Sequence, residues 1–328
     1  MYFENKKDFA LNLIQKGILF KPEKCPLCGN RKISINKYSR GKTTNICFKC
    51  MSYKCKKTIS IRYKSFFDYF NKIPIEDCME VIKCFIIFNF NAKKAHNYLT
   101  GEKQIKISYL QIRNIYTKLR EIIYYYYLLE YEIEDFALEN QNHHFSLDES
   151  LFCHDINGKQ IWVLGMTENE TKNFRLICSY TRDNEILKKF IYKFIPPGNH
   201  IISDGWNGYS FLDEPGSGYR HSIHIQGRND FGIGLDSTSH IESIWGILKQ
   251  EIKRVYITIR SNNFLYFLRE SEFKYKYNKL KDYEKLEKFF EIYSLLIESE
   301  VEFDLLKSDI FLNNDDLNKY FGDEDENI

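Results

Sequence analysis

The sequence has 328 residues, of which 43% are hydrophobic and 28% are charged, and its formal net charge is +2. This length and composition allow two or three domains with buried cores and exclude a chain that is disordered throughout. The longest uncharged apolar runs, which begin at Cys84 and Ile122, are far too short to cross a membrane. Residues 1–10 contain no apolar segment of the signal-peptide type.

The charges are unevenly distributed along the chain. Lys21–Lys64 contains thirteen Lys and Arg residues and one acid, Glu23, whereas the residues from Asp315 onward contain six acids and one Lys. The basic N-terminal part indicates a polyanionic partner. We expect the acidic end to be a solvated tail.

A short amphipathic helix is predicted within residues 1–20, and a cysteine segment follows in residues 21–60. Five of the nine Cys residues of the chain fall in this segment, which favours a metal site in a reducing compartment over a disulfide framework. Cys25 and Cys28, with Gly29 after them, have the spacing of a zinc knuckle. The second pair stays open at this point, because Cys50 can pair with Cys47 or with Cys55.

Such a small ribbon has almost no apolar core, so a structural Zn²⁺ would supply its folding energy. The many Lys and Arg residues around it predict contact with the DNA backbone. A basic surface that is merely solvated is the alternative.

Residues 61–134 have the apolar spacing of helices, and two interpretations of them stay open. They form a helix-turn-helix in which Ile107–Ile123 reads DNA, or they form a plain helical linker. In the first case four basic side chains would contact phosphates: Lys106, Arg113, Lys118 and Arg120. Three helices are predicted in this segment. One begins near Ile75, the second covers Ala92–Leu99, and the third starts after Ser108 and runs through Ile122.

After about residue 142 the pattern changes to short β-rich segments that alternate with helices. The order of these elements is typical of an RNase H-like domain. We therefore predict an α/β protein in which an RNase H-like domain with a mixed sheet follows a small zinc ribbon and a helical segment. The elements are strands at 144–152, 159–168 and 173–180, a helix at Asn184–Ile195, strands at 200–203 and 219–225, and a helix from Ser239 to Tyr256.

Three acids occupy the positions where an RNase H-like sheet carries its metal ligands. Asp148 lies within the first strand, Asp204 ends the fourth, and Glu242 lies in the first turn of the last helix. Together they could hold two Mg²⁺ ions. Spacing alone is weak evidence, because the chain has 45 acids and such residues also form turns or cap helices.

Five short strings extend this interpretation: DES at 148–150, SYTRDNE at 179–185, PPGNHIISDGWNGY at 196–209, YRH at 219–221 and STSHIESIWGILKQEIK at 237–253. Together they resemble the Merlin family of DDE transposases and the related bacterial insertion-sequence transposases. The resemblance extends from the cysteine segment to about Tyr277, and residues 143–255 are its specific part.

The resemblance implies that Asp148, Asp204 and Glu242 are the catalytic acids and that they bind Mg²⁺ or Mn²⁺. Thirty-seven residues lie between Asp204 and Glu242, as the spacing of the family implies. The resemblance also implies Cys25, Cys28, Cys50 and Cys55 as zinc ligands, with Cys47 free.

Lys249 lies seven residues after Glu242, hence on the same helix face, and the family has Lys there. It could steady a scissile phosphate or be a solvated surface residue. Ser239 departs from the family, which has Asn or Gln at that position. Trp245, Trp206 and Tyr209 could stack on bases, but core packing is the favoured interpretation.

The function that the resemblance implies is cut-and-paste transposition. The ribbon and helices would bind the terminal inverted repeats of a mobile element in double-stranded DNA. The RNase H-like domain would cleave one strand and join the freed 3′-hydroxyl to target DNA. Pairing two termini predicts a homodimer or a larger assembly, in the nucleus of a eukaryote or the cytoplasm of a bacterium.

The alternatives are a domesticated, catalytically inactive DNA-binding protein and a zinc-ribbon transcription regulator with a different α/β fold. The predicted domains are residues 1–60 (N-terminal helix and zinc ribbon), 61–140 (helical DNA-binding segment), 141–282 (RNase H-like catalytic domain) and 283–328 (C-terminal helix and acidic tail).

Overall fold

The computed structural model of the chain describes residues 6–40, 43–133, 142–154, 157–224, 238–255 and 264–298. The predicted acidic tail lies outside the described residues. The described residues group into two compact units, the first formed by residues 6–123 with 277–298 and the second by residues 124–276. The predicted domain boundaries stay predictions.

The N-terminal unit begins with a helix and a three-stranded antiparallel sheet. Helix α1 covers Lys6–Gln15, and strands β1 (Ile33–Arg40), β2 (Thr43–Cys50) and β3 (Thr58–Ser60) follow in the order β1-β2-β3. The buried core of this ribbon is small: Cys25, Ile33, Phe48, Cys50 and Ile59. Two of these five core residues are thiols, as expected for a ribbon that a metal ion holds together.

The predicted helices of the first unit are present. They are α2 (Ile75–Ile86), α3 (Ala92–Asn97), the part of α4 (Tyr109–Ile133) up to Ile123, and α8 (Asp282–Glu298) from the C-terminal part of the chain. Asn91 begins α3 because its side chain accepts a hydrogen bond from the Lys94 backbone N–H at 2.9 Å. Helix α2 buries one face, which includes Val81, Ile82 and Phe85.

The second unit contains a five-stranded mixed sheet in the order β6-β5-β4-β7-β8. Strands β4, β5 and β6 form an antiparallel meander, whereas β7 is parallel to β4 and β8 is parallel to β7. This topology confirms the RNase H-like fold that the order of elements predicts. The strands are β4 (His144–His154), β5 (Gln160–Glu168), β6 (Phe174–Ser179), β7 (His200–Ser203) and β8 (Arg220–Ile223).

Three helices complete the described part of the second unit. Helix α5 (Asn184–Phe194) begins at Asp183, whose side chain accepts a hydrogen bond from the Ile186 N–H at 3.1 Å. Helix α6 (Ser239–Val255) packs on β4 and β5. Helix α7 (Phe264–Lys276) was not predicted.

Helix α7 could not be predicted from the apolar pattern, because it buries charged residues as well as apolar ones. Arg269, Glu270 and Glu272 are all buried, so the helix has no clean apolar stripe. The Arg269 guanidinium forms an ion pair with Glu272 at 2.5 Å and donates a hydrogen bond to the Leu176 carbonyl of β6 at 2.9 Å. These polar contacts attach α7 to the sheet.

None of the helices that the structure describes combines the length and the apolarity needed to cross a bilayer.

Candidate active site

The two aspartates lie on adjacent parallel strands. The β4–β7 register pairs Ser146 with Ile202, and the same register carried two residues further places Asp148 level with Asp204. Asp148 is half-buried within β4, whereas Asp204 is exposed immediately after the last residue of β7. Parallel pairing therefore brings together two acids that are far apart in the sequence.

Strand β7 ends just before Asp204, and the turn that follows requires glycine at position 205. Gly205 has φ +78°, and a Cβ at this position would lie 2.5 Å from a methyl group of Ile223 on β8. The resulting turn directs the Trp206 backbone N–H to the Asp204 carboxylate, to which it donates a hydrogen bond at 2.9 Å. This turn therefore holds the Asp204 carboxylate at the end of β7.

Helix α6 brings the third acid to the same part of the sheet. Glu242 lies in its first turn, and its carboxylate accepts a hydrogen bond from the Thr238 hydroxyl at 3.0 Å. One turn later, the Trp245 indole N–H donates a hydrogen bond to the Asp148 carboxylate at 2.8 Å. Trp245 is also buried, so its predicted packing role is combined with a direct contact to a candidate metal ligand.

Gly165 on β5 permits this approach of the helix. It lies opposite Asp148 in the β4–β5 register. A Cβ on Gly165 would lie 2.5 Å from the Trp245 ring and 2.8 Å from Ile241. Sequence reasoning missed this residue, because a single glycine in a strand does not reveal which side chain will lie above it.

The three acids share one electrostatic environment. Burial, together with the negative charges of Asp204 and Glu242, raises the pKa of Asp148 to about 6, against the lowering effect of the hydrogen bonds from Trp245 and the Glu149 backbone. Mutual repulsion of this kind is relieved by a divalent cation, so the donor set fits Mg²⁺ or Mn²⁺. The three carboxyl groups do not form one compact coordination centre. Among the described residues, only the four thiols described below do so.

Lys249 and Ser239 lie on the helix that carries Glu242, and His221 lies on β8, the strand next to β7. The Lys249 ammonium lies 5.3 Å from the centre of the Phe152 ring, which in turn packs against Trp245. His221 contacts the Ser203 hydroxyl, next to Asp204, at 2.9 Å. Ser239 is exposed at the first residue of α6.

A second group of residues beside the aspartates was not predicted. The Tyr209 hydroxyl donates a hydrogen bond to Glu149, which is buried and directly follows Asp148. Burial, together with the charges of Asp148 and Asp204, raises the pKa of Glu149 to about 7, against the lowering effect of the Tyr209 hydrogen bond and the Arg182 charge. One feature of the sequence could have indicated this pair. Glu149 lies with Phe145 and Leu147 on the buried face of β4, where an acid needs a hydrogen-bond partner.

The four thiols of Cys25, Cys28, Cys50 and Cys55 lie within 4.8 Å of one another. The Cys25–Cys55 and Cys28–Cys50 sulfur distances are 3.9 Å and 3.6 Å. A tetrahedral Zn²⁺ with Zn–S bonds of about 2.3 Å requires sulfurs about 3.8 Å apart, so the group fits this ion. The structure thus brings together the set that the resemblance implies.

The surroundings of the thiols also fit a metal site. Although burial opposes it, the backbone N–H groups of Leu27 and Cys28 lower the pKa of the Cys25 thiol to about 7, towards the thiolate that binds metal. Gly29, at φ +71°, makes the left-handed turn of the knuckle. Cys47 is buried away from this group, with its sulfur 3.7 Å from the Asn36 carbonyl.

The basic side chains of the helical segment differ in their availability to DNA. Lys106 and Arg113 are exposed. Lys118 forms an ion pair with Glu121 at 2.8 Å, and Arg120 stacks on Phe85 at 5.3 Å. The first two are therefore better placed than the last two to contact phosphates.

Two solved structures contain chains that are similar to this one. One is the simian T-cell lymphotropic virus intasome in complex with the PP2A regulatory subunit B56 gamma, with 16% identity over 45% of this chain and 52% of that chain and a TM-score of 0.31. The other is the dimeric HTLV-2 integrase catalytic core domain with magnesium, with 12% identity over 44% of this chain and 89% of that chain and a TM-score of 0.28. This chain therefore spans about half of the intasome chain (52%) that it matches.

No curated protein sequence matches the chain significantly. A family model does match it, over residues 147–278, and its description is "ISXO2-like transposase domain". The matched segment begins one residue before Asp148 and includes Asp204 and Glu242. The family match does not distinguish the Merlin family from its insertion-sequence relatives. Residues 147–278 of this chain therefore match the family of ISXO2-like transposase domains.

Proposed function

We propose that this chain is a transposase that cleaves DNA at the terminal inverted repeats of a mobile element and joins the ends to target DNA. The observation that carries the proposal is the parallel register of β4 and β7, which places Asp148 and Asp204 side by side beneath the helix that carries Glu242. The ISXO2-like family match supports the same reaction class.

In this proposal Asp148, Asp204 and Glu242 hold Mg²⁺ or Mn²⁺. When bound, a pair of such ions supplies Lewis-acid activation of the attacking oxygen and stabilisation of the leaving oxygen. Trp245 keeps the Asp148 carboxylate oriented, and the Trp206 backbone does the same for Asp204. Lys249, two turns after Glu242, is proposed to contact the scissile phosphate.

The chemistry consists of two phosphodiester displacements. Water attacks the phosphorus at the transposon end, and the 3′-oxygen leaves and takes up a proton, which yields a 3′-hydroxyl and a 5′-phosphate. The 3′-hydroxyl then attacks a target phosphodiester and displaces the 3′-oxygen of the target strand. Each step exchanges one P–O bond for another, so no external energy source is required.

The N-terminal unit is proposed to bind the repeats. The four thiols would hold a structural Zn²⁺, and the basic residues of the ribbon, together with Lys106 and Arg113, would contact the DNA backbone. Because a cut-and-paste reaction must pair two ends, we propose a homodimer or a larger assembly, acting in the compartment that holds the DNA.

The test is a cleavage and joining assay on duplexes made from the DNA that flanks the gene. The wild-type chain is expected to cleave at an inverted repeat only with Mg²⁺ or Mn²⁺. Asp148→Asn, Asp204→Asn and Glu242→Gln should each lose at least about 100-fold in rate, because each removes a proposed metal ligand. Glu214→Gln, which changes an exposed acid after the turn, is the matched control.

Two outcomes would contradict the proposal. Binding of the repeats without cleavage by the wild-type chain would favour the domesticated DNA-binding protein. Cleavage that survives all three substitutions would mean that the metal ligands lie elsewhere.

A further inference from the structure

Arg182 lies beside the candidate active site in an unusual environment. Its guanidinium lies 4.4 Å from the centre of the Trp162 ring and also 4.4 Å from the centre of the Trp206 ring. Trp162 belongs to β5, and Trp206 lies two residues after Asp204. Two aromatic rings from separate elements therefore hold one cationic side chain.

The Trp206 ring is itself fixed in place. A Cβ on Gly208 would lie 2.2 Å from this ring, so glycine is what allows the ring to lie against the backbone at that point. The Trp206 backbone N–H also donates a hydrogen bond to the Asp204 carboxylate. The position of Arg182 is thus linked to the turn that positions a proposed metal ligand.

The hydrogen-bonding capacity of Arg182 is unused within the described residues. Its closest polar partner is the Glu149 carboxylate, at 3.7 Å, which is an ion-pair distance rather than a hydrogen bond. A guanidinium has five N–H donors, and here none of them donates to a described residue. The side chain is 39% exposed, so these donors can reach a ligand from solvent.

A stacked guanidinium with available donors is suited to binding an oxyanion. The rings reduce its conformational freedom before binding, and its planar fork matches two oxygens of a phosphate. The site lies against Trp206, two residues after Asp204, where negative charge would otherwise repel DNA phosphates. We propose that Arg182 binds a backbone phosphate of the DNA strand that occupies the active site.

This inference rests on the proposed function, and its test measures binding rather than cleavage. The affinity of the full chain for two duplexes of equal length is measured without divalent metal, one with the terminal repeat and one of unrelated sequence. Arg182→Ala is expected to raise the Kd about tenfold for both duplexes. The slope of log K against log salt should become shallower by about 0.9, as expected for the loss of one phosphate contact.

Two further variants separate a phosphate contact from a structural role. Arg182→Lys keeps the charge but not the fork, so the salt slope should stay while the Kd rises. Trp162→Leu removes one ring and should raise the Kd with Arg182 still present. Lys193→Ala is the control: it removes one charge from the last turn of α5, at the opposite end from Arg182, and should change neither quantity.

Unchanged binding by a folded Arg182→Ala chain would overturn the inference and leave the proposed function intact. An effect on the repeat duplex alone would also overturn it, because a phosphate contact does not depend on sequence. A wild-type chain that binds both duplexes and loses affinity on Arg182→Ala, but does not cleave, would support the inference while contradicting the proposed function.

Discussion

Gly165 illustrates, at the scale of a single residue, how the absence of a side chain can position a catalytic group. It faces Asp148 across the β4–β5 ladder and lies under the Trp245 ring. Any side chain here would displace the tryptophan whose N–H orients Asp148. The sequence contains 16 glycines, and nothing local distinguishes this one, because the constraint comes from a helix about eighty residues away in the chain.

Gly165→Ala is expected to destabilise the chain by about 1–3 kcal/mol, since the added methyl group overpacks the contact with Trp245. Strand cleavage should fall as well, because the indole would be displaced from Asp148. Urea unfolding measures the first effect. Gly246→Ala is the control, because none of the described side chains lies within 4 Å of a Cβ on this exposed residue of α6. Equal destabilisation by both variants would contradict the packing argument.

Glu149 predicts a specific pH dependence. Burial is the main cause that raises its pKa in the folded chain from the usual 4.5 to about 7, so the folded state holds this proton more strongly than the unfolded state. Stability is therefore lost as the pH rises from about 4.5 to about 7. The sign is the opposite of that for a carboxylate stabilised by a salt bridge.

Glu149→Gln keeps an acceptor for Tyr209 but carries no charge. At pH 8 the metal-free variant should be more stable than the wild type by on the order of 2–3 kcal/mol, and near pH 4.5 the difference should disappear. Chemical unfolding at several pH values measures this. Glu214→Gln, at an exposed position, should show no such trend; a constant difference for Glu149→Gln would contradict the buried-charge explanation.

At the scale of elements, the ribbon shows what spacing can and cannot predict. The CxxC spacing identified Cys25 and Cys28, but spacing left two choices for the partner of Cys50, which only the resemblance resolved. The strand register explains why Cys50 and not Cys47 belongs to the four-thiol group. Both residues lie on β2, but Cys47 is paired with Ser60 of β3, whereas Cys50 is the last residue of the strand and joins the other three thiols.

Cys55→Ser is expected to abolish zinc binding, whereas Cys47→Ser should retain about one zinc per chain, as one four-thiol site requires. Atomic absorption on the purified full chain measures the content. Because the ribbon core is so small, chelation or Cys55→Ser should also make the ribbon sensitive to protease. Loss of zinc from Cys47→Ser with retention in Cys55→Ser would reverse the assignment.

On the scale of the whole molecule, the C-terminal helix belongs to the N-terminal unit. The Phe66 ring, which is fully buried, lies 6.2 Å from both Phe289 and Tyr293 of α8. Lys16 forms an ion pair with Glu287 at 2.6 Å. These partners are more than two hundred residues apart in the sequence, so no local pattern could have predicted their contact.

A chain that ends at Lys276 lacks α8 and exposes Phe66 and Phe67. We expect the N-terminal unit to be digested rapidly by protease, while the unit with the five-stranded sheet persists, since it does not use α8 for its core. Fragment mapping by mass spectrometry measures this. A chain that ends at Glu298 keeps α8 and serves as the control; equal digestion of both chains would contradict the role of the helix.

The amino-acid sequence by itself determined the order and type of most elements and the first cysteine pair, and it predicted the candidate acids in three motif strings. These features depend on periodicity and short spacing, which are properties of neighbouring residues. Tertiary structure alone decided four features: helix α7 with its buried charges, the position of Gly165 beneath Trp245, the Tyr209 partner of Glu149, and the two tryptophan rings around Arg182. Each of these depends on packing between distant segments, and packing is decided only when the sheet and its helices assemble.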